Sequence, residues 1–112
     1  MPRLLLTTHT VSSQAELDVD AELETIILAD GAEFLNNGVE RLLFKNGSLA
    51  ARTITVVTPF QQDALDLEDR VYTVAAGDTI IAGPFSRAVY SQTGNKVYID
   101  VSGEDVDAVV FK

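Results

Sequence analysis

Apolar residues at every second position, in short runs parted by turn-forming dipeptides, dominate this chain, and that period belongs to strands rather than helices. In Glu40 to Lys45, Leu42 and Phe44 share one side, and Asn46-Gly47 stops the run. Arg52 to Thr58 is rich in β-branched residues, which suit a pleated sheet, and Pro59 ends it. Arg70 to Val74 leads into the turn Ala75-Ala76-Gly77-Asp78, and Thr79 to Ala82 is closed by Gly83-Pro84. Thr93-Gly94-Asn95 reads as a hairpin turn before Asn95 to Val101, which sorts Val97, Ile99 and Val101 to one face and Tyr98 and Asp100 to the other. Val106 to Phe111 is the last run. Turn signals spaced in this way predict an all-β fold, a compact antiparallel β-sandwich or jelly-roll-like barrel of about seven to nine short strands.

A chain of 112 residues with 46% apolar content can bury one core, so residues 1–112 read as a single β-domain. Residues 1–13 are expected to form an extended N-terminal arm that packs on a neighbour, with the sandwich over 14–112. Gln61 to Asp69, after Pro59, reads as an irregular loop. The run Leu4-Leu5-Leu6 is far too short for a signal-peptide core or a membrane span, so the expectation is a soluble protein with no membrane partner.

Composition removes several chemistries. Without cysteine there is no disulfide, thiolate nucleophile or cysteine-held metal, and one histidine, His9, cannot build a histidine cage. Eight basic residues against seventeen acidic ones give a net charge of −9, which argues against a nucleic-acid partner bound through its phosphates. Gly-x-Ser-x-Gly and both glycine-rich phosphate loops are absent. His9, in Thr7-Thr8-His9-Thr10, reads as an ordinary arm residue, since a catalytic imidazole needs an orienting partner. The expectation is no enzyme and no cofactor or metal.

The most unusual local feature is Glu16-Leu17-Asp18-Val19-Asp20-Ala21-Glu22-Leu23-Glu24, which alternates without a break. Read as a strand, it puts Glu16, Asp18, Asp20, Glu22 and Glu24 on one face. A helix opened by a Ser13/Glu16 capping box is the competitor, but it would surround the cylinder with acids. Such a carboxylate face could be a solvated edge that deters aggregation, a dock for a basic partner protein, or a cation site. It does not match an EF-hand, because the sixth and twelfth positions counted from Asp18 are Leu23 and Ala29. Asp63, Asp66, Glu68 and Asp69 form a second acidic cluster, read as a solvated loop. Phe34, Phe44, Phe60, Phe85, Phe111, Tyr72, Tyr90 and Tyr98 are spread one to a segment, as core and rim anchors would be.

From Asp30 onward the chain resembles a family of small tailed-phage proteins encoded near the major capsid protein. The resemblance rests on Asp30-Gly31-x-x-Phe34-x-Asn36-x-Gly38, Leu43-Phe44-x-Asn46-Gly47 and Thr53-Ile54-Thr55-Val56-x-Thr58-Pro59. It continues through Tyr72-Thr73-Val74-x-Ala76-Gly77, Gly83-Pro84-Phe85, Tyr90 and Gly94-x-x-Val97-Tyr98-Ile99. Ala75 stands where the family pattern has proline, and Ala82 where it has isoleucine. The resemblance implies a virion component, made in the host cytoplasm, that decorates or cements the head by binding the major capsid protein, copies of itself, or both, as a homo-oligomer. A head–tail joining or tail-completion part is the alternative within that class, and a carbohydrate- or receptor-binding sandwich the alternative outside it. The candidate contact residues are Leu4, Leu5 and Leu6, as an arm anchor added to a neighbouring sheet, and the acidic set Glu16, Asp18, Asp20, Glu22 and Glu24.

Overall fold

The computed structural model describes residues 3–58, 61–62, 65–66, 69–92 and 94–112. Among these, the first strands are β1 (Leu4–Leu5), β2 (Thr8–His9), β3 (Glu24–Thr25), β4 (Ala32–Leu35), β5 (Arg41–Asn46) and β6 (Arg52–Val57). They are followed by β7 (Gln61–Gln62), β8 (Leu65–Asp66), β9 (Arg70–Val74), β10 (Thr79–Ala82), β11 (Lys96–Val101) and β12 (Val106–Phe111). Two single-turn helices, α1 (Val19–Glu22) and α2 (Arg87–Tyr90), complete the elements.

The long strands form where the alternation predicts them. In β5, Leu42 and Phe44 are buried while Arg41 and Lys45 face water. In β11, Val97, Ile99 and Val101 point inward, and Lys96, Tyr98 and Asp100 outward. One sheet runs β1-β4-β11-β6-β9 and the other β10-β5-β12-β2, with β3 also on β12. Their inner faces enclose a core that includes Phe34, Phe44, Ile54, Val56, Phe85, Ile99 and Val110. Phe85 packs tilted on Phe34, at 6.1 Å between ring centroids, and edge-on to Tyr90 at 5.4 Å. From β4 on, the connections between long strands cross between the sheets, except β6 to β9, as in a double-sheet jelly roll. The chain is an all-β, sandwich-like protein.

The sheets are mixed rather than purely antiparallel. β1 runs parallel to β4, with Leu4 opposite Ala32, and β2 runs parallel to β12, with Thr8 opposite Val110. Both parallel pairs come from the N-terminal segment. A parallel neighbour cannot arrive through a tight turn, so alternation within one segment does not announce it. Within Gln61 to Asp69, expected as an irregular loop, the backbone forms a small hairpin, Gln61 opposite Asp66 and Gln62 opposite Leu65. Of the second acidic cluster, Asp63 and Glu68 lie outside the described residues, as do Phe60 and Thr93. Asp69 is exposed and accepts from the Thr58 amide at 2.8 Å.

Three buried polar side chains hold the connections. Asn46 donates to the carbonyls of Ala50, Val74 and Ala75 at 2.8, 3.0 and 3.2 Å, and its oxygen accepts from the Ser48 amide and hydroxyl. Asn36 donates to the Phe85 carbonyl and accepts from the Gly38 amide. Glu40, 1% exposed, accepts from the amides of Asn37 and Val39 and from the Asn37 side chain. Burial pushes the Glu40 carboxyl up, but these donors outweigh it and hold the group below its ordinary value.

Candidate functional site

The N-terminal segment packs on its own body rather than reaching for a neighbour. Leu6 is 2% exposed and belongs to the core, Leu4 packs against that core, and Leu5 alone of the three is largely open. Leu6 also donates its amide to the Glu33 carbonyl at 2.8 Å. The segment therefore adds an edge strand to each sheet in turn, β1 on one and β2 on the other. The apolar run read as an anchor for another molecule fills a gap in its own sandwich instead, because burying Leu6 between the sheets removes its surface from water without a partner.

Arg3 fixes the start of this segment. Its guanidinium donates to Asp100 at 2.7 Å and to the Ile99 carbonyl at 3.0 Å, and it lies 4.5 Å from the centre of the Tyr98 ring. It enters a notch at Gly31, where a side chain would collide with it.

The expected acidic strand is absent. Residues 16–18 are irregular, Val19–Glu22 form α1, and strand geometry is limited to Glu24–Thr25. Asp18 caps the helix, its carboxylate accepting from the Ala21 amide at 3.3 Å. The reason lies in the residues themselves: Asp, Glu and Ala are poor strand formers, and an aspartate ahead of Val-Asp-Ala-Glu supplies a helix cap. The five carboxylates accordingly do not share a face. Glu22 lies 3.5 Å from His9 Nε2, Glu24 accepts from the Thr7 amide at 3.2 Å, and Glu16 and Asp20 are exposed. His9 is thus a half-buried strand residue beside one carboxylate.

Residues 10–23 leave β12 beside Lys112 and return to it at Glu24. Val109 points to the face of its sheet away from the core and sits opposite Leu43, yet it is only 1% exposed. Leu17, Val19 and Leu23 are half-buried without joining the core cluster. The His9–Glu22 contact places α1 beside β2, the strand that borders β12 in the same sheet.

On the outer face of the other sheet the described residues run from half-buried to exposed. Across it, Leu5 stands beside Glu33, Glu33 beside Tyr98, and Tyr98 beside Val57. The flanking rows place Leu35 next to Lys96 on one side, and Asp100 next to Thr55 and Val71 on the other. Leu5, Leu35 and Val71 are each about half exposed, at 49%, 50% and 54%. The face's charges are satisfied within it: Arg3 pairs with Asp100, and Lys96 lies 3.4 Å from Glu33. Asp69 stands at a corner, held by Thr58. This surface is the candidate functional site. Sequence reasoning separated Tyr98 and Asp100 from the inward valines, but the neighbours contributed by β1, β4 and β6 come from strand order, which one segment's pattern does not contain.

A shallow groove of about 270 Å³ lies elsewhere, between Thr25–Leu28 and Glu104–Asp105. Among the described residues no group of three or more His, Cys, Asp or Glu is placed to hold a metal, and no helix is long and apolar enough to cross a membrane. Comparison of the chain with protein families, with curated proteins and with solved structures finds no match.

Proposed function

We propose that the protein is a structural component of a tailed-phage virion, decorating or cementing the head by packing against the capsid lattice. The observation that carries this reading is the outer face around Tyr98, where exposed Leu5, Leu35 and Val71 flank two internally paired sets of charges, a surface suited to lying against another surface. Two further features support it. The N-terminal segment is laced into both sheets, which stiffens the body, and the resemblance from Asp30 onward points to head proteins. A protein of this kind binds by many modest contacts repeated under symmetry, so affinity comes from avidity rather than from one deep site.

The test is the protein's presence and copy number in purified particles of the phage that encodes it. Decoration requires on the order of hundreds of copies spread over the head, whereas a neck ring would hold about six or twelve. Absence from particles would remove the reading altogether.

A further inference from the structure

Two asparagines in this chain are followed by glycine, at Asn37-Gly38 and Asn46-Gly47. We infer that Asn37-Gly38 is a site of spontaneous covalent modification, at which Asn37 becomes an aspartyl or isoaspartyl residue, while the fold shields Asn46-Gly47 from the same reaction. This chemistry is independent of the virion reading. In such a dipeptide the glycine amide nitrogen, once base has taken its proton, attacks the asparagine side-chain carbonyl carbon. Glycine matters because it carries no side chain to shield that nitrogen. The new bond closes a five-membered imide, and the side-chain amide leaves as ammonia after taking a proton from water. Water then adds to one ring carbonyl and breaks its bond to the ring nitrogen. Opening at the side-chain carbonyl leaves an aspartyl residue, and opening at the main-chain carbonyl leaves an isoaspartyl one. Overall, one water enters and one ammonia departs.

The two dipeptides differ in what holds them. Asn37 is exposed, in the connection between β4 and β5. Its side-chain nitrogen donates to Glu40 at 3.3 Å, and the Gly38 amide donates to the Asn36 side-chain oxygen at 2.9 Å. A Cβ built on Gly38 would meet the Arg87 side chain at 3.7 Å, an ordinary contact, so the ring has room to close. Releasing those two bonds at a solvated surface costs little, because water replaces them. Asn46 has no such freedom. It is fully buried, its nitrogen is tied to the Ala50, Val74 and Ala75 carbonyls, and its oxygen is tied to the Ser48 amide and hydroxyl. The Gly47 amide is itself committed to the Asp105 carbonyl at 2.9 Å. Turning Asn46 toward that nitrogen breaks these bonds where water does not reach, so reaction there waits on local unfolding.

Modification at position 37 acts on its neighbour. A carboxylate then stands where the Asn37 amide donates to buried Glu40, which exchanges a donor for a like charge in a chain already at −9.

Peptide mass spectrometry of the full chain, aged while folded at mildly alkaline pH, tests this. The expected result is a gain of one mass unit at Asn37 that quickens as pH rises, with isoaspartate present in the product. Asn46 should react at least about tenfold more slowly, since its shielding bonds add to the barrier. In denaturant, where neither set of contacts survives, the two dipeptides should react at comparable rates. Asn37→Gln, whose ring would need six members, should abolish the gain at that position. An Asn37 that stays intact in the folded chain overturns the inference, as does an Asn46 that keeps pace with it there. So does a lead for Asn37 that persists in denaturant, which would assign the difference to local sequence rather than to the fold.

Discussion

The Arg3 guanidinium occupies the space that a side chain at Gly31 would need. A Cβ there would collide with Arg3 Nη1 and lie 2.6 Å from Asp100 Oδ1 and 2.7 Å from the Ile99 carbonyl oxygen. Gly31 also has φ of 71°, a left-handed conformation that disfavours other residues. Gly31→Ala is therefore expected to destabilise by about 2 kcal/mol or more, with strain and the lost arginine seat acting together. Amide exchange should rise first at Leu4 and Leu6, which donate to Gly31 and Glu33. Protection unchanged at those amides would show that Arg3 does not hold the segment.

Leu6 and Leu5 are adjacent and should behave oppositely. Leu6→Ala removes a fully packed side chain and is expected to lose about 2–5 kcal/mol in denaturant unfolding. Leu5→Ala, at an exposed position, should stay within about 0.5 kcal/mol of the parent. Removing residues 1–10 would accordingly report on folding before it reported on binding. Equal effects of the two alanines would mean that the segment is not seated as described.

Asn46 tests the buried polar network. Asn46→Ala removes the side-chain donor to the Val74, Ala50 and Ala75 carbonyls and the acceptor of the Ser48 amide, and should lose about 2 kcal/mol. Asn46→Asp sets a carboxylate against the same carbonyls, which favours its protonated form. Its destabilisation should be larger at neutral pH than in acid, the opposite trend from the parent protein.

Glu40 makes stability depend on pH in a defined direction. Its folded-state pKa lies below the ordinary value of 4.5, so its contribution is complete above that value. It disappears as pH falls through the lower folded value, because the unfolded chain then takes up the proton first. Glu40→Gln should be less stable than the parent at neutral pH by about 2 kcal/mol, through lost charge-assisted hydrogen bonds. The gap should narrow below about pH 4.5. A gap that is constant with pH would mean that folding leaves the Glu40 carboxyl's proton affinity unchanged.

Much of the sheet framework is legible in the sequence because long strands alternate strictly and end at glycine, proline or asparagine. Arg70–Val74, Thr79–Ala82 and Val106–Phe111 form over the same residues that the pattern marks. What escapes it depends on distant chain. The two-residue strands β1, β2 and β3 exist only because β4 and β12 offer edges to them, and two residues carry no measurable period. The acidic stretch misleads for a different reason. Its alternation is real, but capping by Asp18 and weak strand propensity override it, and half-burial of Leu17, Val19 and Leu23 is met by a folded-back segment. The candidate face was visible in outline, through Tyr98 and Asp100 on β11. Its partners Leu5, Leu35, Val57 and Val71 are drawn from four other strands.

The pairing of Thr8–His9 with Val110–Phe111 also sets an order in time. During vectorial synthesis the early strand emerges long before its mate and must wait, unzipped, until β12 exists. Closing so wide a loop costs more chain entropy than closing a hairpin, so this pair gains least from local chain proximity. Until the pair forms, the edge of β12 is open to any passing strand, so crowding of nascent copies is the interval at which this protein is most exposed to mispairing.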